Sequence, residues 1–439
     1  MGRGYQTTPR SDAAHTAQYC APRAMRPAVL PLLLVSVACG ARSELHVNPV
    51  DAAVVPTAGD AGIPSCASPD ASPPPTCSTW QVAGPDRLIS EATNGATASG
   101  TLGSVIPVGC GVMLSWTTST YLDPQTSELT FTTRTVAFDG TTTGPENLHT
   151  SLSVASQSSG SIELAASPTG VGALVDDEYD CRFLALDATG ADDGSPVTQQ
   201  DSGCIALASL ASGGFSYLVA DGPEGSTPTT LVAIDGHGAP VSTRPLGDAP
   251  AYALWGRLVY GDGSFLLNEF REDPTTEIYT GLLQHFDAQG SSLSPPVAQP
   301  MNAAPLLLAT TPSGALSSWW TSDSAAAFVP LDPSGAEAGA VTSVPFYDAP
   351  YGEALASTPS GDVVVTLLED AIEMNDTWTI YVQERASDGT PRGSLLALPS
   401  PIGGFDPGDV TPIVAADGVH ALVLYVNGGI HTVPLQCAE

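Results

Sequence analysis

One order of strands and turns recurs along this chain with a mean step of about 51 residues. In the stretch TTLVAIDGHGAPV at 229–241, a strand ends at an aspartate, a glycine turn follows, and a second short strand begins. The same order returns at 134, 182, 282 and 327, and more loosely at 381. A small apolar strand, a glycine turn and a more apolar strand precede each copy, and these more apolar strands begin near residues 112, 171, 215, 264, 315, 362 and 419. The chain is therefore built from about seven units of four short strands.

A period of roughly 40 to 50 residues with four strands per unit is typical of a β-propeller. One four-stranded blade cannot bury both of its faces, whereas a ring of blades packs face to face and leaves few open edges. We predict an all-β fold over residues 77–439, a β-propeller of about seven four-stranded blades, with six or eight as the neighbouring alternatives. The repeated aspartate starts a turn, where its side chain bonds its own backbone two residues on, and the glycine supplies a positive φ.

The two ends of the repeat region predict how the ring closes. The last unit, HALVLYVNGGIHTVPLQCAE, contains a second and a third strand and then stops. The first unit is preceded by CSTWQVAGPDRLIS, which has the pattern of a lone fourth strand. We therefore predict that this N-terminal strand supplies the missing edge of the final blade.

The N-terminal 76 residues carry a different kind of signal. Residues 25–39 combine a charged Arg26 with a short apolar stretch and a small-residue boundary, which is typical of a secretory signal peptide. Residues 1–24 are polar and unpatterned, so we interpret them as a mis-called start extension. Residues 40–76 are dominated by Ala, Pro, Asp and Ser, and we interpret them as a disordered tether.

The cysteines of an exported chain predict disulfides. In the predicted topology, Cys437 at the end of the last third strand meets Cys77 at the start of the closing strand. Cys181 and Cys204 fall on one face of the disc, at the start of a third strand and of the next first strand. Cys66 and Cys110 then remain as the third pair. The spacing shows no CxxC pair and no Cys/His cluster, which argues against a cysteine-rich metal site.

The charge balance excludes some classes of partner. The formal net charge is −33, and all 13 basic residues are arginines. Nucleic acid binding depends on neutralising phosphates with Lys and Arg, so we expect no nucleic acid partner. A basic patch for docking on anionic lipid is missing for the same reason.

The chemical candidates are few. Nucleophile elbows, HExxH, P-loop and EF-hand motifs do not occur in the sequence. Glu163 and Glu353 fall in first strands, which line a propeller's channel, and such a pair could act as acid and base or simply face channel water. Asp187, Asp192 and Asp193 surround glycines in a way that suggests a weak Ca²⁺ site. The equivalent turn at 287 has one acid and would form the same hairpin, so the turn itself needs no metal, and we expect no other cofactor.

The motif LVSVACG, the Pro/Ala/Asp tether and the period over 77–439 together resemble the exported, lipid-anchored β-propeller proteins of Gram-negative bacteria. The resemblance implies a lipidated Cys39, with ordinary cleavage after Ala38 as the alternative. It also implies a location at the outer membrane or cell surface, with membrane contact only through the lipid. We expect the protein to be a monomer. The predicted function is a non-catalytic binding or scaffold module that presents a propeller face to a protein or glycan. The alternative is a secreted glycan hydrolase or lyase that uses carboxylates at the channel mouth.

Overall fold

The computed structural model describes residues 77–438, except residue 78 and short internal segments. The longest of these gaps cover 92–97, 222–228, 247–253, 273–278, 299–306, 346–351, 371–376 and 404–411. Residues 1–76 lie outside the described part, and with them the predictions for the start extension, the signal peptide, Cys39 and the tether. Within the described residues no helix has the length and apolar character that a membrane span requires.

The described residues form β-strands that assemble into seven sheets of four or five strands each. The chain first forms two short strands, β1 (Trp80–Val82) and β2 (Arg87–Ser90). Blade 1 then contains β3 (Ala98–Val108), β4 (Gly111–Asp123), β5 (Thr126–Ala137) and β6 (Asn147–Ala155). Blade 2 contains β7 (Ser161–Ser167), β8 (Gly170–Asp176), β9 (Asp180–Leu186) and β10 (Val197–Gln200). Blade 3 contains β11 (Ser202–Ser209), β12 (Phe215–Asp221), β13 (Thr229–Ile234) and β14 (Pro240–Pro245).

The remaining blades repeat this order. Blade 4 contains β15 (Leu254–Val259), β16 (Phe265–Glu272), β17 (Tyr279–Phe286) and β18 (Val297–Ala298). Blade 5 contains β19 (Leu307–Thr311), β20 (Gly314–Thr321), β21 (Ala325–Leu331) and β22 (Thr342–Pro345). Blade 6 contains β23 (Gly352–Ser357), β24 (Val363–Asp370), β25 (Thr377–Arg385) and β26 (Pro391–Ala397), and β27 (Ile402–Gly403) also pairs with β25. Blade 7 contains β28 (Ile413–Ala416), β29 (His420–Val426) and β30 (Ile430–Cys437).

Seven blades form a closed ring, which confirms the predicted β-propeller. Within each blade the strands pair antiparallel in sequence order. The first strand of every blade contacts the first strand of the next, and β28 of blade 7 contacts β3 of blade 1. The second strand of each blade begins within one residue of the position predicted from the repeat.

The hydrophobic core lies between the blades. Each cluster of buried apolar side chains draws on neighbouring blades, for example blades 1 and 2 around Phe131 or blades 7 and 1 around Trp116. Small residues allow the closest approach: a Cβ at Gly103 in β3 would collide with the carbonyl oxygen of Ile162 in β7. The alternation of apolar residues therefore builds the interfaces between blades as well as the blades themselves.

The turns that end the third strands of blades 1 to 6 explain the repeated aspartate. In all six, an aspartate Oδ1 accepts the backbone N–H two residues on, and the glycine has φ between 79° and 88°. The aspartate occupies the first turn position in four blades (Asp187, Asp235, Asp287, Asp332) and the position before the glycine in two (Asp139, Asp388). Hydrogen bonds donated within the turn hold the pKa of Asp332 and Asp388 below the ordinary 3.8.

Blade 7 closes the ring in the way that the sequence predicts. Strand β1 pairs with the end of β30 and is the fourth strand of this blade. The stretch predicted as one lone strand is in fact two, because β2 pairs separately with the start of β30. Asp86, between them, accepts a hydrogen bond from the Tyr425 hydroxyl and lies 3.0 Å from Nδ1 of His431. The break therefore lets a carboxylate bind two side chains of the last blade.

Two predicted disulfides are present. Cys77 and Cys437 are bonded with a Cα–Cα distance of 5.4 Å, and Cys181 and Cys204 with one of 5.0 Å. The first joins the two ends of the propeller, and the second joins β9 of blade 2 to β11 of blade 3. Cys110 is also disulfide-bonded, but its predicted partner Cys66 lies outside the described residues, so that pairing stays a prediction.

Candidate functional site

Glu163 lies in the first strand β7, as predicted, but it contacts a neighbouring blade. Its side chain is buried, and Oε1 accepts the backbone N–H of Leu207 in β11 at 3.1 Å. A register shift between Cys204 and Ala206 gives β11 a β-bulge beside this contact. The carboxylate therefore links blades 2 and 3, and it is not a solvated group in an open channel.

Glu353 has a comparable position between blades 5 and 6. It is 4% exposed, and the hydroxyl of Ser318 in β20 donates to its Oε1. Its charge also acts on the buried Arg385, whose guanidinium lies 3.7 Å above the ring centre of Phe328. Burial lowers the pKa of Arg385 to about 10, and the charge of Glu353 opposes that shift. Glu163 and Glu353 thus contact different neighbours in different blades, and the described contacts do not bring them together as an acid–base pair.

The three aspartates of the predicted Ca²⁺ loop have separate roles. Oδ1 of Asp187 accepts the backbone N–H groups of Thr189 and Ala191, which fixes the turn. Asp192 lies 2.5 Å from Nδ1 of His149 in blade 1, and the backbone N–H of Asp193 donates to Ala185. Among the described residues, no three His, Cys, Asp or Glu side chains are grouped so that they could hold a metal ion. The Ca²⁺ site stays a prediction.

His149 also joins a hydroxyl and a carboxylate in the order used by serine hydrolases. Its Nε2 lies 2.7 Å from the Thr133 hydroxyl, while its Nδ1 faces Asp192. Thr133 is fully buried, however, and its hydroxyl also donates to the carbonyl oxygen of Gly190. A nucleophile must reach its substrate, so this network is a polar clamp between blades 1 and 2.

A second buried polar cluster holds the closing segment. Glu384 at the end of β25 is 1% exposed and accepts the backbone N–H of Cys77. Asp362, also buried, pairs with Arg392 at 3.0 Å. Burial, followed by the charge and hydrogen bond of Asp362, raises the pKa of Glu384 to about 8. Neither carboxyl is open to a substrate, so the cluster fastens Cys77 to blade 6.

A groove of about 580 Å³ opens where the ring closes, between β2 and the sheet of blade 1. We call it the seam groove. Its apolar part consists of Leu88, Ile89 and Trp116, its hydroxyl part of Ser90, Thr118, Thr130 and Thr132, and its charged part of Glu91, Arg134 and Glu146. The volume falls in the range of roughly 300 to 1,000 Å³ that is usual for small-ligand pockets.

The walls of the seam groove follow from strand geometry. Trp116 pairs with Thr132, and Thr118 with Thr130, across β4 and β5. Alternate residues of a strand point to the same face, so these four side chains form one patch of the sheet. Strands β4 and β5 contain 13 and 12 residues, against seven in β8 and β9 of blade 2. Blade 1 therefore presents a longer sheet face beside the seam than blade 2 could.

Arg134 holds β2, which forms the other wall of the seam groove. Its guanidinium donates to the carbonyl oxygens of Ile89 and Gly144 and forms a 3.0 Å ion pair with Glu146. Strand β2 has a β-bulge at Ile89, since its register against β30 shifts between Leu88 and Ser90. The bulge directs the Ile89 carbonyl to Arg134, which ties β2 to blade 1.

Sequence reasoning did not find the seam groove. Trp116 lies in β4, a second strand, where a large apolar residue is expected to pack between blades, and it is only 2% exposed. The available signal was the length of the first unit, in which threonines and serines are frequent in both long strands. The positions of β2 and Arg134 depend on ring closure and on a bulge, which no local pattern specifies.

Comparisons with known proteins assign the chain to no family. No family model matches the chain, and no curated protein matches it. Among solved structures, the chain is similar to the Dos1 propeller, with 11% identity and a TM-score of 0.44 over 82% of this chain and 95% of that one. It is also similar to Sqt1 from Chaetomium thermophilum, with 12% identity and a TM-score of 0.42 over 81% and 100% of the two chains. The haemagglutinin-neuraminidase ectodomain of parainfluenza virus 5 has 8% identity and a TM-score of 0.40, over 81% and 85%.

Proposed function

We propose that this protein is a lipid-anchored binding or scaffold module on the surface of a Gram-negative bacterium, which presents its propeller to a protein or glycan. The observation that carries the proposal is the seam groove, a preformed open site whose lining mixes apolar, hydroxyl and charged side chains. Such a mixture is usual in binding sites, where a few polar groups fix the orientation of a ligand.

The chemistry of the described residues favours binding over catalysis. The candidate carboxylates Glu163 and Glu353 are buried and bonded to neighbouring blades, and the hydroxyl of Thr133 is enclosed. A hydrolase would need an acid and a base within reach of the same substrate. No specific observation supports the lyase or hydrolase alternative.

The disulfides support export. Disulfide bonds form and persist in oxidising compartments, and the propeller is closed by one that spans 360 residues. The N-terminal segment with Cys39 supplies the expected anchor, because a lipidated cysteine would hold the chain at a membrane while residues 40–76 separate it from the propeller.

The first test concerns the anchor. We expect the wild-type chain to fractionate with the outer membrane and to be digested by protease added to intact cells. The Cys39→Ser chain should be exported in soluble form. Equal solubility of both chains would contradict the anchor.

The second test concerns binding. Fluorescently labelled Cys39→Ser chain should bind saturably to cells of the producing bacterium, and unlabelled chain should displace it. Reduced and denatured chain serves as the control. Absence of saturable binding would contradict a cell-surface partner.

A further inference from the structure

We propose that the seam groove binds an uncharged oligosaccharide. This inference rests on the proposed binding function and specifies its ligand class. The groove has hydroxyl groups on one side and an apolar surface beside them. A sugar ring has the matching groups, hydroxyls at its edge and C–H groups on its face.

The hydroxyl side consists of threonines on one sheet face. Thr118 and Thr130 are half-buried and directly opposite each other, while Thr132 lies deeper, beside Trp116. A threonine hydroxyl both donates and accepts hydrogen bonds. That of Thr130 donates to the carbonyl oxygen of Thr118 and can still accept from a sugar hydroxyl. The strands hold these groups on rigid positions, which lowers the entropic cost of binding.

The apolar side complements the C–H surface of a sugar. Leu88 stands at the rim with 52% exposure and supplies most of the accessible apolar surface, while Trp116 and Ile89 lie beneath it and are 2% and 4% exposed. Apolar and aromatic side chains with a few placed polar groups are the usual lining of a small-ligand site.

The bulge in β2 argues against a peptide that adds as a strand. Strand addition requires a row of available backbone N–H and C=O groups at a sheet edge. The Ile89 carbonyl already accepts from Arg134, and the register of β2 is interrupted at this residue. A ligand in the groove must therefore be recognised through side chains.

The charges favour an uncharged ligand. The ion pair between Arg134 and Glu146 neutralises both groups, which leaves Glu91 as an additional acid in the lining. The chain as a whole has a net charge of −33. An anionic sugar would be repelled by both the groove and the surface around it.

The experiment uses the full Cys39→Ser chain in isothermal titration calorimetry with chitohexaose, cellohexaose and maltoheptaose, and with trigalacturonic acid as the anionic probe. We expect at least one neutral probe to bind and the anionic probe not to bind. The Thr118→Val/Thr130→Val variant should lose at least tenfold in affinity. The matched control is Thr243→Val, which removes an exposed threonine hydroxyl from β14 and should leave the affinity unchanged.

The outcomes separate this inference from the proposed function. The inference is overturned if trigalacturonic acid binds tightly. It is also overturned if a neutral oligosaccharide binds the Thr118→Val/Thr130→Val variant as well as it binds the wild type. If no neutral probe binds while the labelled chain still binds cells, the sugar site is wrong and the binding module stands. If no neutral probe binds and the labelled chain does not bind cells, both the sugar site and the binding module are wrong. Thermal melting checks that the double variant folds, and if it does not, Leu88→Glu at the exposed rim replaces it and should also reduce affinity at least tenfold.

Discussion

The closing blade and the six blades before it join their third and fourth strands in different ways. In blades 1 to 6 the third and fourth strands are joined by a local connection that begins with a turn, which an aspartate and a positive-φ glycine hold with local hydrogen bonds. In blade 7 the third and fourth strands come from opposite ends of the propeller, and the Cys77–Cys437 disulfide joins them across 360 residues. A local hairpin needs little ordering of the chain, whereas closing a ring between distant segments must overcome a larger loop entropy. The difference shows that the fold uses a covalent disulfide in the one blade whose third and fourth strands are not joined by the chain itself.

The largest expected effect comes from removing the closing disulfide. With a separation of 360 residues, the chain-entropy relation gives a loss of about 6 kcal/mol in the free energy of unfolding for Cys77→Ser/Cys437→Ser. Urea unfolding of the two chains measures it. A loss smaller than that of the second disulfide would contradict the comparison.

Glu384, which accepts the Cys77 N–H, should make the closure depend on pH. Its pKa is raised from 4.5 to about 8, so the folded chain binds one proton more than the unfolded chain between these values. This contribution to the free energy of unfolding is complete below about pH 4.5 and is lost as the pH rises to about 8, by about 5 kcal/mol at 1.36 kcal/mol per unit.

The matched variant is Glu384→Gln, which keeps the size of the side chain and cannot ionise. Its free energy of unfolding should change less between pH 5 and pH 8 than that of the wild type. The denaturant midpoints of both chains at the two pH values measure this difference. Parallel pH profiles would show that Glu384 does not titrate in this range.

The second disulfide supplies the internal reference. Cys181 and Cys204 are separated by 23 residues, and the same relation gives about 3 kcal/mol for their replacement by serine. The loss should be about half that at the closing pair in the same denaturation assay. Equal losses would mean that loop length does not govern these links.

The smallest loss in the free energy of unfolding is expected at the Asp332 turn of blade 5. Oδ1 of Asp332 accepts from the backbone N–H groups of Ser334 and Ala336 and from the Ser334 hydroxyl. Asp332→Ala removes these bonds and should cost about 1 kcal/mol. Asp332→Asn retains an acceptor at this position and serves as the control, so equal losses in the two variants would point to the charge of the side chain instead.

The repeat made the architecture predictable because each unit carries its own strand pattern and its own turn. The turn aspartates and glycines bond within five residues, so local sequence specifies them. The pairing of Cys77 with Cys437 followed from counting strands in the last unit. Neither result required knowledge of side-chain directions.

The candidate site depended on information that a linear pattern does not contain. Glu163 and Glu353 fall in first strands as expected, but whether they meet water or the next blade depends on bulges and on the spacing between blades. The seam groove requires a break at Asp86, a bulge at Ile89 and the reach of Arg134 between blades. These are contacts between distant segments, which periodicity cannot reveal.

The position of Cys77 also decides how the propeller bears mechanical load. A pull on the chain at residue 76 reaches Cys77 before it reaches β1, which has only three residues. The covalent bond passes that force to Cys437 at the end of β30, an eight-residue strand paired along the blade. The disulfide thus keeps that force from peeling β1 and β2 away from β30 one hydrogen bond at a time.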